Sequence, residues 1–365
     1  MRVSVVNLQG EEVLALECAG VGDIRQAVAK KLAVPAGTVK LYHAGRELEE
    51  LEGAEEAHMG DLDLSLVLQV PDGFLTCSDD GTAKIWHTQT GECLRTFSGH
   101  QAGVSCAVFS PDKAFILTAS ADHTAKFWSI AQGCCVQDFT GHEGAVNSAV
   151  FCKEGSKCFT CSADGAAKMW DVETGQCLQS FVCGDNVTSV ALSDDETLMM
   201  TTCESGHLLL WDVKAGSWQT LAELDRDELL SACFVGERKM FMRASGYDPL
   251  AQLWDAAIFP KGRIVFGHDE FVSFGELFHE RFALTIGRSR STAAKLWSAE
   301  TEALVQTFAV PGAAMTSASL SHDGACVLTA STDARARLWD VATGKCLLLL
   351  EGHAGTLRSA RFPHP

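Results

Sequence analysis

Cys158 and Cys161 carry the most obvious chemistry in this sequence, since paired thiolates three residues apart can chelate zinc. No second pair stands at zinc spacing, and residues three apart in a strand point to opposite faces, which spoils chelation. The acidic runs GEEV (10–13) and ELEELEGAEEA (47–57) could supply paired general acids, but such runs read as solvated faces or loops. The sequence contains no Gly-Lys-Ser/Thr phosphate loop, no Gly-x-Ser-x-Gly elbow and no His-Glu-x-x-His pair. The expectation is a protein without metal, cofactor or catalytic activity.

Composition narrows the class of partner. The 365 residues carry a formal charge of −18, of which −6 falls on the first 70 residues (6 basic, 12 acidic) and −12 on the rest (23 basic, 35 acidic). Neither part offers the basic footprint that nucleic acid or anionic lipid requires. The N-terminus gains charge too early for a secretory signal, and the longest apolar stretch, Cys346–Leu350, is far short of the ~20 residues of a membrane span. Fifteen cysteines, an odd count in a core-forming chain, predict reduced thiols and a cytoplasmic or nuclear home.

The elements that hold these residues repeat. Trp86, Trp128, Trp170, Trp211, Trp254, Trp297 and Trp339 are spaced 42, 42, 41, 43, 43 and 42 residues apart. Cys93, Cys135, Cys177 and Cys346 each follow one of them by seven, and the eighth tryptophan, Trp218, takes that place after Trp211. Within Gly99–Phe139, VSCAVFS, AFILTAS and TAKFWSI alternate in polarity between polar turns, and CCVQDF follows Gly133. This pattern predicts four short antiparallel strands per unit. A period near 42 with Gly-His and Trp-Asp landmarks predicts propeller blades.

On these residues the chain from Pro71 onward resembles the WD-repeat family. The resemblance implies a mainly β fold, a seven-bladed propeller over 71–365. It also implies a buried His–Ser–Asp–Trp tetrad in each ideal blade. The matching residues are His100, Ser120, Asp122 and Trp128; His142, Ser162, Asp164 and Trp170; and His353, Ser78, Asp80 and Trp86. A histidine beside an aspartate can serve catalysis, but recurrence blade after blade marks a scaffold. The third set joins the two ends of the chain, so the strand at 356–362 is expected to close the ring beside GFLTCSDD (73–80). SLVLQV (65–70) competes for that place.

Three units depart from the pattern. Cys203 and Ser205 precede Trp211, with Gly184-Asp185 in place of Gly-His; Gly246 and Asp248 precede Trp254; Ser289 and Ser291 precede Trp297. The Trp339 unit keeps Ser331 and Asp333 but has Pro311-Gly312-Ala313 where histidine belongs. A binding surface released from structural duty and simple drift both produce such divergence. The resemblance implies a protein-binding rim carrying Asp79, Ala121, Ala163, Glu204, Tyr247, Arg290 and Thr332, with Arg288 nearby. Tyr247 and Arg290 have the side chains favoured as interface anchors.

Residues 1–70 follow another grammar. MRVSVVNLQGEEVLALEC reads as two strands, DIRQAVAKKL (23–32) as a helix capped by Asp23, and VKLYHAGREL (39–48) and LDLSLVLQV (62–70) as further strands. The segment resembles ubiquitin, a small α+β β-grasp fold, through VPAGTVKLYHAGRELEE and LSLVLQV. Leu8, Tyr42 and Val67 match the hydrophobic recognition patch of that family, either as a real binding surface or on a domain that only braces the propeller. No di-glycine tail follows Val70, which argues against conjugation. The expected function is a non-catalytic adaptor linking a propeller-bound protein client to ubiquitin-pathway machinery. Alternatives are a substrate receptor of a cullin-type ligase, suggested by Trp211-Asp212-Val213-Lys214, and an architectural subunit of a larger complex.

Overall fold

The alternating segments become strands in the computed structural model, which describes residues 73–223, 281–287 and 292–363. Outside these it describes the strand segments 2–6, 12–17, 39–43, 46–47, 62–68, 229–235, 240–245, 250–255, 264–267 and 272–278. No helix occurs among the described residues, and the expected helix at 23–32 lies outside them. Internal contacts separate two units, with the main boundary between Asp72 and Gly73.

The first unit holds β1 (Arg2–Val6), β2 (Glu12–Glu17), β3 (Val39–His43), β4 (Arg46–Glu47) and β5 (Leu62–Leu68) in one sheet of order β2-β1-β5-β3-β4. β1 and β2 form an antiparallel hairpin, whereas β1 and β5 run parallel with Val3 opposite Leu62 and Val5 opposite Leu64. A parallel pair needs a long crossover between its strands.

The second unit contains, among the described residues, seven four-stranded antiparallel sheets, an arrangement consistent with a WD-repeat propeller. Each tryptophan of the 42-residue period sits on the third strand of its sheet. One sheet joins the ends of the unit: Leu357–Arg361 pairs with Gly73–Ser78, setting Leu357 opposite Ser78 and Ala360 opposite Thr76. The first strands of successive sheets begin at Leu357, Val104, Val146, Val187, Leu229, Val272 and Met315. They neighbour one another in that order, and the last adjoins the first.

The core lies between successive sheets. Leu117, Phe127 and Phe139 of one sheet pack with Val146, Cys158 and Trp170 of the next, and Phe159 and Phe181 pack with Val187, Cys203 and Trp211. Phe74, Trp86 and Leu357 close on Leu328, Leu338 and Leu350 in the same way. The indoles of Trp170, Trp211 and Trp86 thus fill the gap against the preceding sheet, which is why the period is tied to the architecture. The glycines of three Gly-His pairs adopt backbone angles that other residues rarely take, and Gly99 and Gly352 also stand tight against an indole. Gly99, Gly141 and Gly352 have φ of 150°, 137° and 143°. A Cβ on them would lie 3.1, 3.5 and 3.3 Å from the indole edges of Trp128, Trp170 and Trp86.

Candidate functional site

Three sheets carry a hydrogen-bonded chain that runs from the inter-sheet core to one set of turns. Trp128 Nε1 donates to Thr118 Oγ1 at 2.8 Å, Thr118 meets His100 Nε2 at 2.7 Å, and His100 Nδ1 lies 2.7 Å from Asp122 Oδ2. Trp170, Thr160, His142 and Asp164 repeat this at 2.8, 2.7 and 2.7 Å. Trp86, Thr76, His353 and Asp80 repeat it at 2.7, 2.9 and 2.9 Å across the junction of the two chain ends.

Burial pushes all three imidazoles below their ordinary value, against the pull of the carboxylates. A neutral ring then donates from Nδ1 to aspartate and accepts the threonine O–H at Nε2, leaving that oxygen free to accept the indole N–H. Burial alone would raise the Asp80 and Asp122 carboxyls. Hydrogen bonds from the Thr82 and Thr124 side chains, from backbone N–H groups and from the imidazoles outweigh it and hold both at about 2. Every polar group of the chain is satisfied internally, so it clamps a turn to a core and leaves no group to act on a substrate.

The serines expected in this chain stand beside it. Trp128 lies opposite Ile116 in register, so Thr118 is its diagonal neighbour, two residues on and on the same face. Ser120 is two residues further and out of reach of the indole. Its hydroxyl donates to Gly103 O at 2.9 Å and accepts the Asp122 N–H at 3.1 Å, which shapes the turn. Ser78 likewise donates to Gly355 O and accepts from Asp80, and Ser162 accepts from Asp164. The threonine was readable from the sequence as a residue ten before each of Trp86, Trp128, Trp170, Trp211 and Trp339.

The departing sheets rebuild the chain with other groups. Trp339 still donates to Thr329 (2.9 Å), but Asp333 now takes the Arg337 guanidinium: Nη2 to Oδ2 at 2.6 Å, with Nη1 on Ser331 Oγ at 3.0 Å. Lysines occupy the place of Arg337 in other sheets and turn outward, Lys126 to Asp138 and Lys168 to Ser180. Trp211 donates to Thr201 at 2.9 Å, where Cys183 Sγ replaces the imidazole at 3.6 Å. Asp185 and Ser205 exchange roles, Asp185 Oδ2 accepting the Ser205 N–H at 2.8 Å. Trp297 donates to Thr285 at 2.8 Å, while Ser289 and Ser291 lie outside the described residues.

The turns held by these chains form the candidate protein-binding rim. Asp79, Ala121, Ala163, Glu204 and Thr332 are all exposed there. Asp79 takes both Nε and Nη2 of Arg358, at 2.7 and 2.9 Å, and Glu204 accepts from Asn186 Nδ2 at 2.8 Å. Tyr247, Arg288 and Arg290 lie outside the described residues, as does Leu8. Tyr42 and Val67 fall on β3 and β5, with Tyr42 opposite Ser65 and Lys40 opposite Val67. Cys158 and Cys161 are buried in different inter-sheet clusters, so this pair cannot grip one ion.

Comparison with known proteins agrees with the repeat. The family "WD domain, G-beta repeat" matches residues 58–87, 91–129, 133–171, 175–212 and 303–340, together about half of the chain. The first match takes in Leu62–Leu68, which the structure pairs with β1 and β3. Nuclear distribution protein nudF of Aspergillus niger is 26% identical over 183 residues, 50% of this chain and 41% of its own length. Nuclear distribution protein PAC1 of Komagataella phaffii is 32% identical over 195 residues, 49% of this chain and 39% of its own. Telomerase protein component 1 of Mus musculus is 23% identical over 49% of this chain and 7% of its own length. The match therefore spans less than half of each of these relatives. With five matched repeats set on sheets that share one tryptophan-centred plan, the chain belongs to the WD-repeat family.

Proposed function

We propose that this protein is a non-catalytic adaptor: a seven-bladed WD-repeat propeller over 71–365, closed by the strand at 356–362, that binds a protein client on its rim, and a ubiquitin-like domain over 1–70 that addresses ubiquitin-pathway machinery. WD repeats imply a protein-interaction scaffold. The observation that carries the reading is the internal satisfaction of the Trp–Thr–His–Asp chains, which leaves recognition to the exposed turns. The client surface is assigned to Glu204, Tyr247, Arg288 and Arg290. The second surface is assigned to Leu8, Tyr42 and Val67. The sheet order β2-β1-β5-β3-β4 with a parallel β1/β5 pair supports a β-grasp domain, and the main contact boundary at Asp72/Gly73 supports the division. The proposed home is a reducing compartment, cytoplasm or nucleus, on the odd count of fifteen cysteines.

Affinity purification with mass spectrometry, run on wild type beside a Leu8/Tyr42/Val67 triple-alanine variant, tests the reading. Ubiquitin-handling partners present with wild type and lost with the variant are expected. An unchanged partner set would leave the first domain a brace and the function wholly on the propeller face. A second reading, substrate receptor of a cullin-type ligase, draws on Trp211-Asp212-Val213-Lys214, where Lys214 is exposed. It requires Lys214→Ala to lose a ligase subunit while folding is retained.

A further inference from the structure

In the Trp211 sheet two thiols stand where the ideal sheets place an imidazole and a hydroxyl. Cys183 precedes Val187 by four residues, as His142 precedes Val146 and His100 precedes Val104, and the loop from Phe181 to Val187 is one residue shorter than that from Phe139 to Val146. Cys203 pairs with Val187 in register as Ser162 pairs with Val146. Cys183 Sγ lies 3.6 Å from Thr201 Oγ1, and the Cys183 N–H is anchored on Gly165 O at 2.8 Å. Thr201 and Cys203 stand two apart on one strand face, and Cys183 packs on the cluster that contains Cys203. Both are free, Cys203 fully buried and Cys183 half-buried.

We propose that Cys183 and Cys203 are an oxidisable dithiol, the site at which a hydroperoxide converts this sheet from two thiols to one disulfide. The Cys183 thiolate attacks the terminal peroxide oxygen, the O–O bond breaks, and the alcohol or water leaves with the second oxygen. Cys203 sulfur then attacks the resulting sulfenic acid: the S–S bond forms, the S–O bond breaks, and hydroxide leaves as water with the Cys203 proton. Two thiols lose two electrons and the peroxide gains them. The assignment of roles follows access, since only Cys183 reaches solvent. Acidity agrees with that order: proximity to Cys203 moves the Cys183 thiol down, while proximity to Cys183 and burial move Cys203 up. Burial pushes the neighbouring Cys161 thiol up, which makes it a poor competitor. The disulfide would tie the loop carrying Asp185 and Asn186 to the strand that ends at Cys203, beside the rim residue Glu204.

The test treats the native full-length protein with hydrogen peroxide, blocks remaining thiols with N-ethylmaleimide, and maps peptides without reduction. A Cys183–Cys203 linked peptide, absent after dithiothreitol and absent when oxidation follows unfolding in urea, is expected. The Cys203→Ser variant should instead accumulate a dimedone-reactive Cys183. The proposal is overturned if wild type yields no such peptide while the exposed Cys93, Cys135, Cys177 or Cys346 oxidise, or if Cys183 alkylates equally before and after peroxide. Because the linked peptide is read on wild type, a variant that fails to fold does not blunt the result.

Discussion

Removing one hydroxyl from the Trp–Thr–His–Asp chain should cost more than removing the serine beside it. Thr118→Val keeps the shape of a buried side chain while deleting the oxygen that joins Trp128 Nε1 to His100 Nε2. Two buried polar groups lose their partner, each worth roughly 1–3 kcal/mol, so the loss should be about 3 kcal/mol or more. Thr329→Val is the internal control. Thr329 serves the Trp339 indole, but no histidine follows it in that sheet, so only one group is orphaned and about half the loss is expected. Ser120→Ala removes one turn hydrogen bond to Gly103 O and one from Asp122 N–H, worth about 1 kcal/mol. Urea unfolding followed by tryptophan fluorescence gives the three values on one scale. If Ser120→Ala costs more than Thr118→Val, or if the two valine variants are equal, the chain does not run through threonine.

Two further outcomes follow from the same geometry. The three buried histidines titrate below their ordinary 6.5, so the unfolded chain binds more protons there and stability falls as pH drops through about 6.5. Asp80 and Asp122, held at about 2 against an ordinary 3.8, add a further loss below about pH 4. Urea midpoints at about pH 7 and about pH 5 read the first part, and a rise toward acid would mean that the imidazoles are held charged. In the Trp339 sheet, Arg337→Met should cost about 1–2 kcal/mol, and Arg337→Lys should recover only part of it because an ammonium cannot make both guanidinium bonds. An unchanged midpoint in the methionine variant would show the Arg337–Asp333 pair to be idle.

The tryptophan period, the alternation around it and the Gly-His pairs are local signals, and by themselves they determine strand after strand of the second unit. A residue that must fill the gap between two sheets has to recur once per sheet, so its spacing is written directly in the chain. The histidines and aspartates of three sheets were legible for the same reason. What tertiary structure alone decided is which groups meet. Thr118 and Ser120 are equally polar and two residues apart, and only the register opposite Trp128 gives the hydroxyl to threonine. Arg337 occupies a position where Lys84, Lys126 and Lys168 bond outward to the fourth strand, and only an aspartate without a histidine draws it inward. Cys183 reads in sequence as the residue before Gly184-Asp185; the paired strands and the loop between them bring it to Thr201 and onto the cluster that contains Cys203. Spacing along a chain records repeated duties, while partnership depends on register and loop length, which exist only once strands are paired.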